Sequence, residues 1–280
     1  MGYGQRRLEF SLHKRELFAS IVFVYALLLG GMARAAEVAP DMVVDANVAS
    51  VDLIAYVQTH IVAGPIDADP NIPKYNRGRD FGSWRTQDVK LTTGCNRTRE
   101  AVLQRQADPR YPTTINPATC RVTTGLWHEP YTGADVYAAK ELQIDHVVPL
   151  KNAYYTGGYA WRPAERCHYA NFMANPFHLI AVNAHENMSK GDRSPDRYMP
   201  PSATYQCEYL NNWMKIKVIW KLSVTHEEAT AIEKDFAAQN CDPSLRFAPT
   251  GEINAQRMAA SQPIRSCEEF EKKGQVTPVD

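Results

Sequence analysis

The chain has 280 residues, 44% of them apolar and 22% charged, with 31 basic and 31 acidic side chains. That composition excludes a disordered chain and allows one large domain or two small ones. The formal net charge of zero excludes a strongly basic field over the whole molecule, but not a local basic patch.

In chain order, Arg6, Arg7, Lys14 and Arg15 precede an apolar run from Leu17 to Gly31, followed by Ala33-Arg34-Ala35. A basic start, a short apolar stretch and small residues at the end predict a signal peptide over residues 1–35. If it is retained instead, the segment is a membrane anchor, although the run falls short of the roughly 20 residues of a spanning helix. Export would place the protein outside the cell or in the periplasm. Without residues 1–35 the chain keeps 26 basic and 29 acidic residues, a net of −3.

Residues 36–76 are expected to form an N-terminal helix and linker. Val51, Ile54, Val57 and Ile61 have helical spacing, and Pro65, Pro70 and Pro73 then break the pattern. Residues 77–110 are locally basic, with eight Lys/Arg against four Asp/Glu. Residues 112–134 predict turns and short strands. Leu142 to Leu150 predicts a strand, 151–174 two short helices, His178 to Val182 a second strand, and 184–191 a helix. Residues 208–221 predict a further helix. Thr225-His226-Glu227-Glu228 is a capping-box pattern that opens another, to about Ala238. Residues 242–280 are expected to be an irregular tail.

Six cysteines in an exported chain predict disulfides. The absence of C-x-x-C spacing argues against structural zinc. Fifteen pairings are possible, and the sequence alone does not select one. Local loop closure favours Cys95–Cys120 and Cys207–Cys241, which leaves Cys167 with Cys267.

The chemistry concentrates at Ile144-Asp145-His146-Val147-Val148-Pro149-Leu150. A strand ending in Asp-His sets an acid beside an imidazole. A second strand and Asn187-Met188-Ser189-Lys190-Gly191-Asp192 follow. Asp145 is a hard oxygen ligand and Asn187 offers a carbonyl oxygen, a pair suited to Mg²⁺ or Mn²⁺. His146 is placed to take a proton from water. Each residue alone has a bland reading: Asn187 as a helix cap, Lys190 and Arg193 as solvated charges, Arg99 as an ion-pair partner as readily as a phosphate clamp. Trp127, Trp161 and Trp213 read more naturally as core than as base-stacking platforms.

In order and spacing these residues resemble the HNH (His-Me finger, ββα-metal) endonucleases, in particular a secreted subgroup related to the C-terminal nuclease domain of GmrSD-type restriction enzymes. The similarity spans about residues 77–241. It includes Phe81-Gly82-Ser83-Trp84, Gly94-Cys95-Asn96-Arg97-Thr98-Arg99-Glu100, Gly125-Leu126-Trp127 and Pro130-Tyr131-Thr132-Gly133. The resemblance implies an α+β fold with a ββα-metal core, surrounding helices and disulfide staples. It also implies an endonuclease (a hydrolase of nucleic acid, DNA ahead of RNA) that leaves 5′-phosphate ends. Carried onto this chain, Asp145 and Asn187 would be metal ligands and His146 the general base. His178 would occupy the middle position, usually Asn, that orients the base. Arg99, Lys190 and Arg193 are candidate phosphate contacts, and no stable protein partner is evident. The alternative is a secreted, disulfide-stapled binding protein with a degenerate, inactive finger.

Overall fold

The computed structural model describes residues 49–62, 67, 69–88 and 94–275. The expected signal peptide lies outside the described residues. Ser50–Asp52 (β1) runs directly into Leu53–Thr59 (α1), capped by the Asp52 carboxylate accepting from Ala55 N–H at 3.0 Å. Of the expected helical face, Ile54 and Val57 are buried in α1 beside Leu53 and Tyr56, whereas Val51 lies in β1 and Ile61 is exposed beyond the helix. Arg77–Asp80 (α2) and Thr98–Gln106 (α3) lead to a small antiparallel sheet of Thr114–Asn116 (β2), Arg121–His128 (β3) and Asp135–Ala138 (β4).

Leu142–His146 (β5) is followed by the helices Leu150–Tyr155 (α4) and Pro163–Ala170 (α5). The chain returns as Leu179–Asn183 (β6) and turns at once into Ala184–Lys190 (α6). Ala203–Ile219 (α7) and His226–Ala238 (α8) pack behind them. Phe247–Pro249 (β7) pairs with β1 before Thr250–Ala260 (α9) and Arg265–Gln275 (α10) close the described chain. The last two helices correct the expectation of an irregular tail over 242–280. α10 carries Arg265, Glu268, Glu269, Glu271, Lys272 and Lys273 around a narrow apolar face of Cys267 and Phe270, easily overlooked in so charged a segment. Specific ties hold it: the Cys167–Cys267 disulfide, and Arg162 reaching Glu271 at 2.9 Å and Glu268 at 3.6 Å.

The architecture is mixed α+β. Three disulfides join Cys95 to Cys120, Cys167 to Cys267 and Cys207 to Cys241. These are the pairs that local loop closure favours, with the remainder. Two apolar clusters form the core, and the β5–β6 hairpin lies between them. Ile144 pairs with Ala181 and Asp145 with Ile180. Because alternate strand residues face opposite ways, Leu142, Ile144, Leu179 and Ala181 enter the cluster containing Val102, Leu103 and Trp127. Ile180 and Val182 enter the larger cluster with Tyr131, Tyr209 and Trp213. Trp127 and Trp213 are therefore core residues.

The predicted capping box is half made. Thr225 Oγ1 accepts from Glu228 N–H at 3.1 Å. The Glu228 carboxylate does not reach back. It lies fully buried, accepting from Trp213 Nε1 at 2.5 Å and pairing with Lys217 at 3.1 Å. A buried ammonium needs a counter-charge more than an exposed cap needs its second hydrogen bond.

Candidate active site

Two periodicities meet where α6 crosses β5. Gln143 and Asp145, two apart on a strand, share a face. Asn187 and Lys190, three apart on a helix, share another. Asn187 Nδ2 donates to Gln143 Oε1 at 2.7 Å. Lys190 Nζ donates to Asp145 Oδ1 at 3.0 Å, lies 2.9 Å from Oδ2, and also donates to the His146 carbonyl at 3.0 Å. Tyr131 Oη donates to Asp145 Oδ2 at 2.5 Å. Asp145, Lys190 and Tyr131 are all buried. Burial pushes the Asp145 carboxyl up and the Lys190 ammonium down from their ordinary values, and the mutual attraction of the pair only partly opposes this.

This arrangement corrects two expectations. Lys190 is fully buried and cannot touch a phosphate; its charge is required at Asp145. The Asp145–Asn187 pair also does not fit a divalent cation as it stands. The single negative charge of Asp145 is already met by an ammonium touching both oxygens, and a dication beside it would be repelled. Asn187 donates its Nδ2 to Gln143 and keeps its carbonyl oxygen open, so the misfit lies at Asp145. Among the described residues no group of three or more His, Cys, Asp or Glu comes together to hold a metal ion. A cation at Asp145 requires Lys190 to leave.

His146 ends β5. Its Nε2 donates to the Ala170 carbonyl at 2.9 Å, which fixes the tautomer and leaves Nδ1 as the acceptor. Its ring stacks on Trp84, 5.3 Å between centroids and 6° from parallel. Nδ1 has no protein partner among the described residues and is not sealed from solvent. Burial holds the imidazole well below the usual histidine range, the Ala170 hydrogen bond only partly opposing it, with the cations Arg77 and Lys190 adding to the effect. The ring is therefore neutral, in its proton-accepting form, at physiological pH.

His178 is built similarly but closed. Nε2 donates to the Tyr169 carbonyl at 2.8 Å, while Nδ1 is buried with no partner. The ring packs among Tyr169, Phe172 and Trp220. His178 therefore offers no open nitrogen to a substrate, unlike a catalytic residue, and its ring serves to hold backbone. It holds the carbonyl next to the one that holds His146. The turn before it is fixed by Asn175, whose Oδ1 accepts from His178 N–H at 2.8 Å and Phe177 N–H at 3.2 Å.

Arg99 is not free to clamp a phosphate. It pairs with Glu100 at 3.0 Å and donates to the Ala139 and Leu142 carbonyls at 3.3 and 3.5 Å. Arg193 is exposed in the turn beyond α6. Sequence reasoning missed the roles of Tyr131 and Trp84, although both stand inside the motif blocks Pro130-Tyr131-Thr132-Gly133 and Phe81-Gly82-Ser83-Trp84. It also missed Asn171, fully buried, whose Oδ1 accepts from Arg85 N–H at 2.8 Å and Thr98 Oγ1 at 2.6 Å. That clamp sets Trp84 against His146.

An antiparallel hairpin entering a helix, with an anchored histidine at its strand end and one ring nitrogen open, is a compact frame for acid–base chemistry. Residues 102–234 match the family described as GmrSD restriction endonucleases, C-terminal domain, and the chain belongs to that family. A protein of Arthroderma benhamiae described as an uncharacterized secreted protein is 36% identical over 185 residues, covering 60% of this chain and 87% of the relative. No solved structure matches the chain.

Proposed function

We propose that the protein is an exported endonuclease that hydrolyses phosphodiester bonds of nucleic acid, with His146 as the general base and β5, β6 and α6 as its His-Me finger. One observation carries the reading. Among the buried histidines 146, 168 and 178, each donating Nε2–H to a backbone carbonyl, only His146 keeps Nδ1 open. A water at Nδ1 gives up its proton there as its oxygen attacks phosphorus, the bond to the 3′ oxygen breaks, and the departing oxygen takes a proton from solvent to leave as the 3′ hydroxyl. Arg77, exposed and within electrostatic reach of His146, is the cation that meets charge on the phosphate. Membership of a nuclease-domain family supports the reaction class. The three disulfides and the relative's description as secreted support export.

A second reading has an observation of its own. Asp145, its charge met by Lys190 and its Oδ2 also held by the Tyr131 hydroxyl, suits a degenerate finger that binds without cutting. One assay separates the two. The protein is incubated with supercoiled plasmid and with RNA, beside a folded His146→Ala variant. The nuclease reading expects cleavage that falls about 10²–10⁴-fold on loss of the base. No cleavage by the wild type, or equal cleavage by the variant, refutes it.

A further inference from the structure

Trp84 belongs to two places at once. Its ring lies on His146, and it also lines a cleft of about 460 Å³ with Arg85, Arg97, Phe270 and Lys273. That volume is within the range of nucleotide-sized ligand sites, about 300–1,000 Å³. The cleft wall carries three cations against one carboxylate, Glu269. No ion pair joins Arg85, Arg97 or Lys273 to a carboxylate among the described residues.

The cleft is built rather than incidental. The 85–87 and 96–98 segments pair through Thr98 N–H to the Arg85 carbonyl at 2.8 Å and Gln87 N–H to the Asn96 carbonyl at 2.9 Å. Arg85 is pinned over the Phe270 ring, 4.8 Å from its centroid, and its Nε is buried without a partner. Gly82, with φ of +70°, permits the close approach: a Cβ there would meet Arg85 Nη2 at 2.9 Å and Phe270 at 3.2 Å. The opposite wall is α10, fastened by Cys167–Cys267, by Ser266 Oγ donating to the Thr86 carbonyl at 2.8 Å, and by Asp88 accepting from Arg265 N–H at 3.0 Å. All of these lining residues lie outside the 102–234 family match.

We propose that this cleft binds the polynucleotide strand flanking the bond to be cut, its phosphates met by Arg85, Arg97 and Lys273, with Trp84 joining the cleft to His146. The proposal rests on the nuclease reading for its orientation, but strand binding is measurable without cleavage. A single strand fits because its phosphates and ring faces are both open. Phosphate contacts predict salt-dependent and sequence-independent affinity.

The test uses the full chain carrying His146→Ala or, should that variant unfold, the wild type with phosphorothioate strands. Binding of labelled single-stranded DNA and RNA is followed between 50 and 200 mM salt, with and without Arg97→Ala/Lys273→Ala. Both of those residues are exposed, so the pair leaves the fold intact. Each lost phosphate contact lowers the salt slope by about 0.7. Two contacts amount to about 7-fold over this fourfold salt range, so the unsubstituted protein should lose about 7-fold more affinity than the double variant. The same charge removal at Lys140 and Lys234 should leave the slope unchanged. No binding at all, an unchanged slope in the cleft variant, or an equal effect from the control pair overturns the proposal. If the wild type fails to cut but the cleft dependence appears, the nuclease reading fails and the binding site stands. If it cuts and the slope does not move, the cleft fails alone. A response to one nucleic acid only identifies the strand the cleft takes.

Discussion

The substitution Lys190→Met removes an ammonium and leaves a chain of similar length. Asp145 would then be a buried carboxylate whose remaining side-chain partner is the Tyr131 hydroxyl, at 2.5 Å. Breaking one side of a buried pair costs about 3–5 kcal/mol, because the other charge is stranded. For a domain of this size, each kcal/mol moves Tm by about 2–4 °C, so the melt should fall by about 6–20 °C. The loss depends on pH with a definite sign. Burial already raises the Asp145 carboxyl, and without Lys190 it rises further. A raised acid adds stability below its unfolded value and loses it as pH climbs through the folded value. The variant should therefore be weakest at alkaline pH and approach the wild type as pH falls. Asp145→Asn/Lys190→Met should recover most of the loss, since burial pushes both partners toward their neutral forms. Calorimetric titration with Mn²⁺ adds a second readout. Lys190→Met should bind the ion more tightly than the wild type, because the competing ammonium is gone. A variant within about 1 kcal/mol of wild type at pH 8 would refute the buried-pair argument. Tight, Asp145-dependent Mn²⁺ binding by the wild type would show that Lys190 yields its place and that the carboxylate is a metal ligand after all.

Two further outcomes follow from burial and chain connectivity. Burial lowers the His178 imidazole from 6.5 to about 3, so its contribution to stability is complete above pH 6.5 and is lost as pH falls toward 3. The slope is at most about 1.4 kcal/mol per pH unit. Urea unfolding of His178→Asn at pH 4.5 and 6.5 should show a smaller acid loss than wild type, by up to about 2.7 kcal/mol, and parallel profiles would contradict it. Cys167→Ala/Cys267→Ala opens a crosslink between residues 100 apart, worth up to about 4.7 kcal/mol in the chain-entropy picture. Its melt should drop and single-strand affinity should weaken as α10 loosens; an unchanged melt and affinity would mean that the non-covalent ties of α10 suffice to hold it.

The strand, second strand and helix around the candidate site were legible because each imposes its own period on the sequence. Asp145, His146 and Asn187 stood out by order and spacing. Lys190 was equally visible but misread. A lysine in the last turn of a helix is usually solvated, and only the crossing of α6 over β5 turns it inward. The same failure explains Glu228: a capping residue by local pattern, claimed instead by Lys217 on another helix. β1 and β7 were not legible because their partners are 195 or more residues apart. α10 was not legible because its apolar face is only Cys267 and Phe270 and its main ties, the disulfide and Arg162, are to residues about 100 positions away.

His178 shows how a departure from a family pattern can still keep its task. An asparagine at that position would hold a hairpin with two short hydrogen-bonding groups. Here the two jobs are divided. Asn175 fixes the turn by accepting from the backbone of residues 177 and 178. The longer imidazole of His178 spans to the Tyr169 carbonyl, the neighbour of the Ala170 carbonyl that orients His146. Val147 N–H then donates to the His178 carbonyl at 3.2 Å, closing the strand pair beside His146. Losing His178 would thus loosen the end of α5 and, through it, the tautomer and aim of His146. A positioning role of this kind predicts a fall in cleavage rate without a matching change in strand affinity, because the cleft cations stand on other segments. Equal losses of both in His178→Asn would place it in substrate binding instead.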